Sequence, residues 1–108
     1  MVDKIGKTEA GMLEKDVEKY LVKRVREADG IAYKFISPGH NGVPDRICVL
    51  PDGVVVFVEV KQPNGRLSPT QTMQIQSIYR RGHNVAVVWS KEDVDCLITE
   101  YTKGEKQK

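Results

Sequence analysis

The chain has 108 residues, with 17 Lys plus Arg against 15 Asp plus Glu, 40% hydrophobic and 30% charged residues. A chain of this length buries about two-thirds of its extended surface around one core, and this composition is too apolar and too nearly neutral for intrinsic disorder. No apolar run approaches the ~18 residues needed to span a bilayer and the N-terminus has no hydrophobic signal segment, so a cytoplasmic protein is expected, while a net charge of +2 leaves its partner open.

From Leu13, apolar residues fall at Val17, Leu21, Val25 and Ala28, a helical stripe that predicts a first helix ending near Gly30. Ile31 to Ile36 reads as a strand, and Ser37 to Pro44 as a loop rich in Gly and Pro. Ile47 to Leu50 and Val54 to Val60 are β-rich runs joined by Pro51-Asp-Gly53, a hairpin. Both runs are apolar on both faces, which calls for helices on both sides of the sheet. Ser68-Pro-Thr-Gln71 combines an N-cap, a proline at the first helical position and a capping-box glutamine, with Ile75, Ile78 and Tyr79 as the expected buried face and Gly82 as the stop. Asn84 to Trp89 is a further strand, and Ser90 caps a last helix carrying Val94, Leu97, Ile98 and Tyr101. The result is a single small α/β domain of order αβββαβα over residues 12 to 102, with residues 1 to 11 and a charged tail, 103 to 108, expected to fray. Cys48 and Cys96 lack any metal or disulfide spacing and are expected to be reduced, buried thiols.

In an antiparallel hairpin, directly paired residues have a constant index sum. A three-residue loop at 51 to 53 pairs Leu50 with Val54, and the same sum pairs Asp45 with Glu59. The two carboxylates then face each other with Cβ atoms about 4.5 to 5.5 Å apart, and alternation puts Lys61 on the same face. Facing like charges are destabilising unless offset, and a hard divalent cation offsets them directly. Taken singly, the same residues also read as strand-end charges and a turn cap.

Gly42-Val-Pro-Asp-Arg46 followed by Glu59-Val-Lys61 resembles the signature of the PD-(D/E)xK nuclease superfamily. The chain from Leu13 to Tyr101 is similar to the stand-alone phage and bacterial members of the VRR-NUC family. The likeness includes the Lys-rich first helix, the GxPDR loop, the ExK strand and the Leu-Ser-Pro-x-Gln helix start. The resemblance implies a restriction-endonuclease-like core and magnesium-dependent hydrolysis of DNA phosphodiesters, with Mn2+ able to substitute and no small-molecule cofactor. It implies Asp45, Glu59 and the main-chain carbonyl of Val60 as metal ligands and Lys61 as the catalytic lysine. It further implies structure-selective cleavage of branched DNA such as a Holliday junction, in a repair setting. Two symmetric cuts in a junction call for a homodimer, for which the apolar residues of the last helix and the edge of the second are candidate surfaces.

The superfamily also carries a glutamate on the first helix. Glu14 and Glu18 both qualify, one turn apart, and Glu18, followed by Leu21 and Gly30, better resembles the corresponding position in the helix of the related junction resolvases. Gln71 matches a glutamine near the family's active site but is also explained by its capping box. Lys34, His40 and Arg66 are candidate nucleic-acid contacts, with solvated side chains as the alternative. Lys19, Lys23, Arg24, Arg26, Arg80 and Arg81 could follow phosphates. Arg46, next to Asp45, points to the opposite face and reads as a structural ion-pair partner. His83 reads as a helix-end residue and Trp89 as core. The competing functions are a non-catalytic DNA-binding or scaffold subunit that keeps the fold, and a sequence-specific restriction-type endonuclease.

Overall fold

The structure, a computed structural model, describes residues 13 to 102, so the expected fraying of the two ends lies outside the described residues. The elements are α1 (Glu14–Glu27), β1 (Ile31–Lys34), β2 (Arg46–Leu50), β3 (Val54–Val60), α2 (Pro69–Arg80), β4 (Asn84–Val88) and α3 (Lys91–Tyr101). The predicted αβββαβα order holds. The four strands form one mixed sheet in the order β1-β2-β3-β4, antiparallel for the first two pairs and parallel between β3 and β4.

The core lies on one side of the sheet. Val17, Leu21 and Val25 of α1 and Val94, Leu97 and Ile98 of α3 pack with Cys48, Val56, Val58, Val60 and Val88 of the strands. Tyr20 and Arg24 of α1 bond Asp95 of α3 at 2.8 and 3.1 Å, tying the two helices together along the rim of this layer.

The opposite side is only partly covered. The α2 helix packs along β4 and buries none of its residues: Ile75 and Ile78 are half-buried and Tyr79 is 71% exposed, contrary to the expected buried face. Ile31, Val49 and Val55, which lie side by side across β1, β2 and β3, consequently remain exposed. The expectation of cover on both faces thus fails at this end of β1, β2 and β3, which α2 does not reach, but holds at the other end of β3, where Glu59 is buried.

Two strands are shorter than predicted. The β1 ladder stops at Lys34 because its partner begins at Arg46, although the Phe35 amide still donates to the Asp45 carbonyl at 2.9 Å. The β4 strand stops at Val88 because the Trp89 amide donates instead to Asp93 Oδ2 at 2.9 Å, in the first turn of α3. Cys48 is buried, and burial pushes its thiol up to about 12. Cys96 is exposed rather than buried, because it lies on α3 outside the Val94, Leu97 and Ile98 stripe.

Candidate active site

The β2/β3 ladder runs from Leu50 opposite Val54 to Arg46 opposite Val58, so the constant index sum is kept to the end of the strand and Asp45 continues it toward Glu59. Beyond the ladder, side chain replaces backbone: the Val60 amide donates to Asp45 Oδ2 at 2.9 Å. With its own carbonyl accepting from Phe35, Asp45 is held from both neighbouring segments.

Glu59 is 2% exposed, an unusual place for a carboxyl group. Its Oε2 accepts from Gln71 Nε2 at 3.0 Å, whereas its Oε1 is buried and has no hydrogen-bond partner among the described residues. Burial and then the Asp45 charge push this carboxyl up to about 7, against the opposing pull of Lys61. An acid placed here loses its hydration and receives one donor in return, so the carboxyl is under electrostatic strain.

Gln71 reaches Glu59 because of the way α2 begins. Its amide donates to Ser68 Oγ at 3.1 Å and its Oε1 accepts from the Ser68 amide at 2.9 Å, which closes the capping box and aims Nε2 at the strand. The capping and site readings of Gln71 are therefore compatible. Gly42 brings the preceding loop against the same helix turn: its φ is +82°, and a Cβ there would stand 2.8 Å from Thr70 Cγ2 and 2.9 Å from the Thr70 backbone carbon. Only glycine meets both demands.

Lys61 continues β3, its amide donating to the Val88 carbonyl at 2.9 Å. The turn that follows is closed by the Gly65 amide on the Gln62 carbonyl at 2.8 Å, and Gly65 is packed so that a Cβ would lie 3.4 Å from Cβ and Cδ of Lys61. Trp89 Nε1 donates to the Gly65 carbonyl at 3.3 Å. Trp89 is half-buried and pins this turn, a role beyond the simple core residue expected. The clue available in sequence was that a buried indole N–H seeks a partner.

The two helix acids have different surroundings. Arg46 Nε donates to Glu18 Oε2 at 2.8 Å and its NH1 to the Ala32 carbonyl at 2.9 Å, the structural pairing anticipated for Arg46. Glu14, one turn earlier, has its carboxyl raised by burial and then by Asp45. The favoured acid, Glu18, is thus held by Arg46, while Glu14 has Asp45 as its foremost charged neighbour. The difference follows from helix rise, which carries Glu18 one turn past Asp45.

Lys34 lies opposite Arg46 in register, hence on the other face of the sheet from Asp45 and Glu59 and not in their cleft. His40 and Arg66 are exposed, with His40 Nδ1 3.1 Å from Ser37 Oγ. Arg24 is engaged by Asp95, and His83 is exposed beyond the end of α2.

Among the described residues no group of three or more His, Cys, Asp and Glu side chains is placed to hold a metal. The donor set is instead two carboxylates with adjacent main chain, which suits magnesium: it keeps several waters and takes one or two protein carboxylates plus substrate phosphate oxygens. The partnerless, buried Glu59 Oε1 is the atom such a cation would satisfy.

The model of the VRR-NUC domain family matches residues 8–92. A phage protein described as "Putative nuclease p44", from Acyrthosiphon pisum secondary endosymbiont phage 1, is 46% identical over 79 residues, covering 73% of this chain and 85% of that protein. A solved structure described as "VRR_NUC domain" superposes with a TM-score of 0.76 at 38% identity, covering 82% of this chain and 96% of the other. A second, described as "VRR_NUC domain protein", has a TM-score of 0.66 at 16% identity over 85% of this chain and 89% of its own, a likeness of fold.

Proposed function

The chain belongs to the VRR-NUC domain family, and from its own site residues we propose that it is a magnesium-dependent endonuclease hydrolysing DNA phosphodiester bonds. The observation that carries this reading is the buried, partnerless Glu59 oxygen beside Asp45, on the same strand face as Lys61. A scaffold subunit has no use for an acid held at such cost.

Asp45, Glu59 and the main-chain carbonyl of Val60 would hold the metal. Magnesium, when bound, supplies charge at the phosphate and lowers the pKa of a coordinated water. Gln71 keeps the Glu59 carboxylate in one orientation, and Asp45 is fixed by the Val60 amide. Lys61, its stem steadied by the Gly65 turn, places an ammonium where it orients the attacking water and offsets the negative charge that grows on the phosphate. Mn2+ substitutes, since it takes the same oxygen donors.

The substrate in this reading is branched DNA, cut by a homodimer. Symmetric cleavage of a two-fold junction needs two sites related by a two-fold axis. The exposed row Ile31, Val49 and Val55 offers an apolar surface for a second copy, whereas the apolar residues of α3, one of the surfaces expected for this role, are committed to the core. Light scattering is expected to give a dimer, and a single ~12 kDa species at micromolar concentration refutes that part.

The deciding experiment sets a four-way junction, a flap and a linear duplex side by side with magnesium or EDTA. Metal-dependent cutting of the junction supports the proposal. Binding without cutting favours the scaffold reading, and cutting of duplex at one sequence favours a restriction-type enzyme.

A further inference from the structure

One flank of α1 carries a groove that the catalytic cluster does not use. Its walls hold Lys15, Lys19, Lys23, Arg26 and Arg46, with Glu18 the sole acid among the lining residues. The first four recur at helical spacing along about 16 Å of helix. Glu18 is neutralised by Arg46 at 2.8 Å, so the groove is net positive. Among the described residues Lys15, Lys19 and Arg26 form no ion pair, and Lys23 has only a solvent-exposed 4.0 Å contact with Glu27. The other flank of the helix differs: there Arg24 is engaged by Asp95 and Tyr20 carries the Lys91 ammonium over its ring at 5.3 Å.

The groove starts where the cluster ends along β2: Arg46 in its wall directly follows Asp45 but points to the opposite face of the sheet, where exposed Lys34 lies beside it, so a strand leaving the cluster reaches the groove around the end of β2. We propose that this groove seats the DNA strand running away from the scissile phosphate, with the α1 cations meeting successive phosphates. The inference rests on the nuclease reading above. A strand of B-form DNA advances about 3.4 Å per phosphate, so 16 Å of helix passes about four or five of them. A lipid surface is a poorer fit, because the apolar stripe of α1, Val17, Leu21 and Val25, is fully buried and cannot insert.

The test uses the full chain with Glu59→Gln, which binds without cutting, and a fluorescent DNA duplex followed by anisotropy across a range of salt concentrations. Replacing Lys15, Lys19 and Lys23 together by Gln should weaken binding at least tenfold for every DNA sequence tried. It should also flatten the log affinity against log salt slope by about two to three, roughly 0.9 for each phosphate no longer neutralised. Lys91→Gln removes one charge from the other flank and should leave the slope alone, and unchanged thermal midpoints show that the fold is intact. A parental slope in the triple variant overturns the groove, as does an equal per-charge effect of Lys91→Gln, which would mean that net charge alone matters. Binding is read without cleavage, so if the chain with Glu59 intact cuts DNA in magnesium while the triple variant keeps its slope, the groove alone is refuted. If the chain with Glu59 intact cuts no DNA, the nuclease reading is refuted instead.

Discussion

Glu59→Gln isolates the strain in the apo site. In the folded protein the Glu59 carboxyl is pushed up to about 7 from an ordinary 4.5, so folding favours its protonated form. The contribution of this group is fully present below pH 4.5, declines as pH rises, and is lost once pH passes 7. Each tenfold change in proton affinity is worth about 1.4 kcal/mol, so the loss between acid and alkaline pH amounts to about 3 kcal/mol. Gln keeps an acceptor for Gln71 Nε2 and carries no charge. Urea unfolding in EDTA should find the variant close to the parent at pH 4 and more stable by about 2 to 3 kcal/mol near pH 8.5, the lower figure allowing for a buried amide N–H2 in place of Oε1. Magnesium should narrow the gap by stabilising the parent alone. A stability difference that does not change with pH refutes the claim that Glu59 is desolvated and strained.

Asp45→Ala should abolish magnesium binding by calorimetry and cleavage together, with apo stability within about 1 kcal/mol of the parent, because relief of the repulsion on Glu59 offsets the lost acceptor of the Val60 amide; a loss of several kcal/mol in EDTA would mark Asp45 as structural. Lys61→Arg keeps the charge on a bulky planar fork and should cleave almost as poorly as Lys61→Ala, so a near-parental rate would reduce Lys61 to a phosphate-binding charge. Gly42→Ala must adopt a positive φ against the Thr70 backbone, and should cost about 2 kcal/mol in chemical denaturation while lowering the cleavage rate through the displaced loop. Arg46→Met leaves Glu18 and the Ala32 carbonyl without their donor and should cost about 1 to 3 kcal/mol, measured the same way.

The parts legible in sequence were those set by local rules. Helical spacing marked Val17, Leu21 and Val25; the Ser68-Pro-Thr-Gln71 start marked the N-terminus of α2; and the three-residue hairpin loop fixed the register that carries Asp45 toward Glu59. What escaped depends on which surfaces meet. The apolar residues of α2 promised a buried face, but the helix lies mainly along β4, reaching β3 through Gln71, and leaves Tyr79 in solvent. Cys96 stood in an apolar stretch of sequence, yet its place on the helix turns it away from the core that its neighbour Leu97 enters. Glu14 and Glu18 are equivalent by periodicity, and only the position of Arg46 in space separates them. The Trp89 hold on Gly65 joins residues 24 apart in the chain and left no local signature.

Whether Asp45, Glu59 and Lys61 form a metal-dependent phosphodiesterase site can be read from single-turnover cleavage of a labelled four-way junction. The parent and Lys61→Ala are compared with magnesium and with EDTA, at protein concentrations where both bind the DNA. The parent should cut in magnesium alone, and Lys61→Ala should be slower by at least about a hundredfold despite retained metal and DNA binding. Cutting in EDTA, or an unimpaired Lys61→Ala, would contradict the assignment.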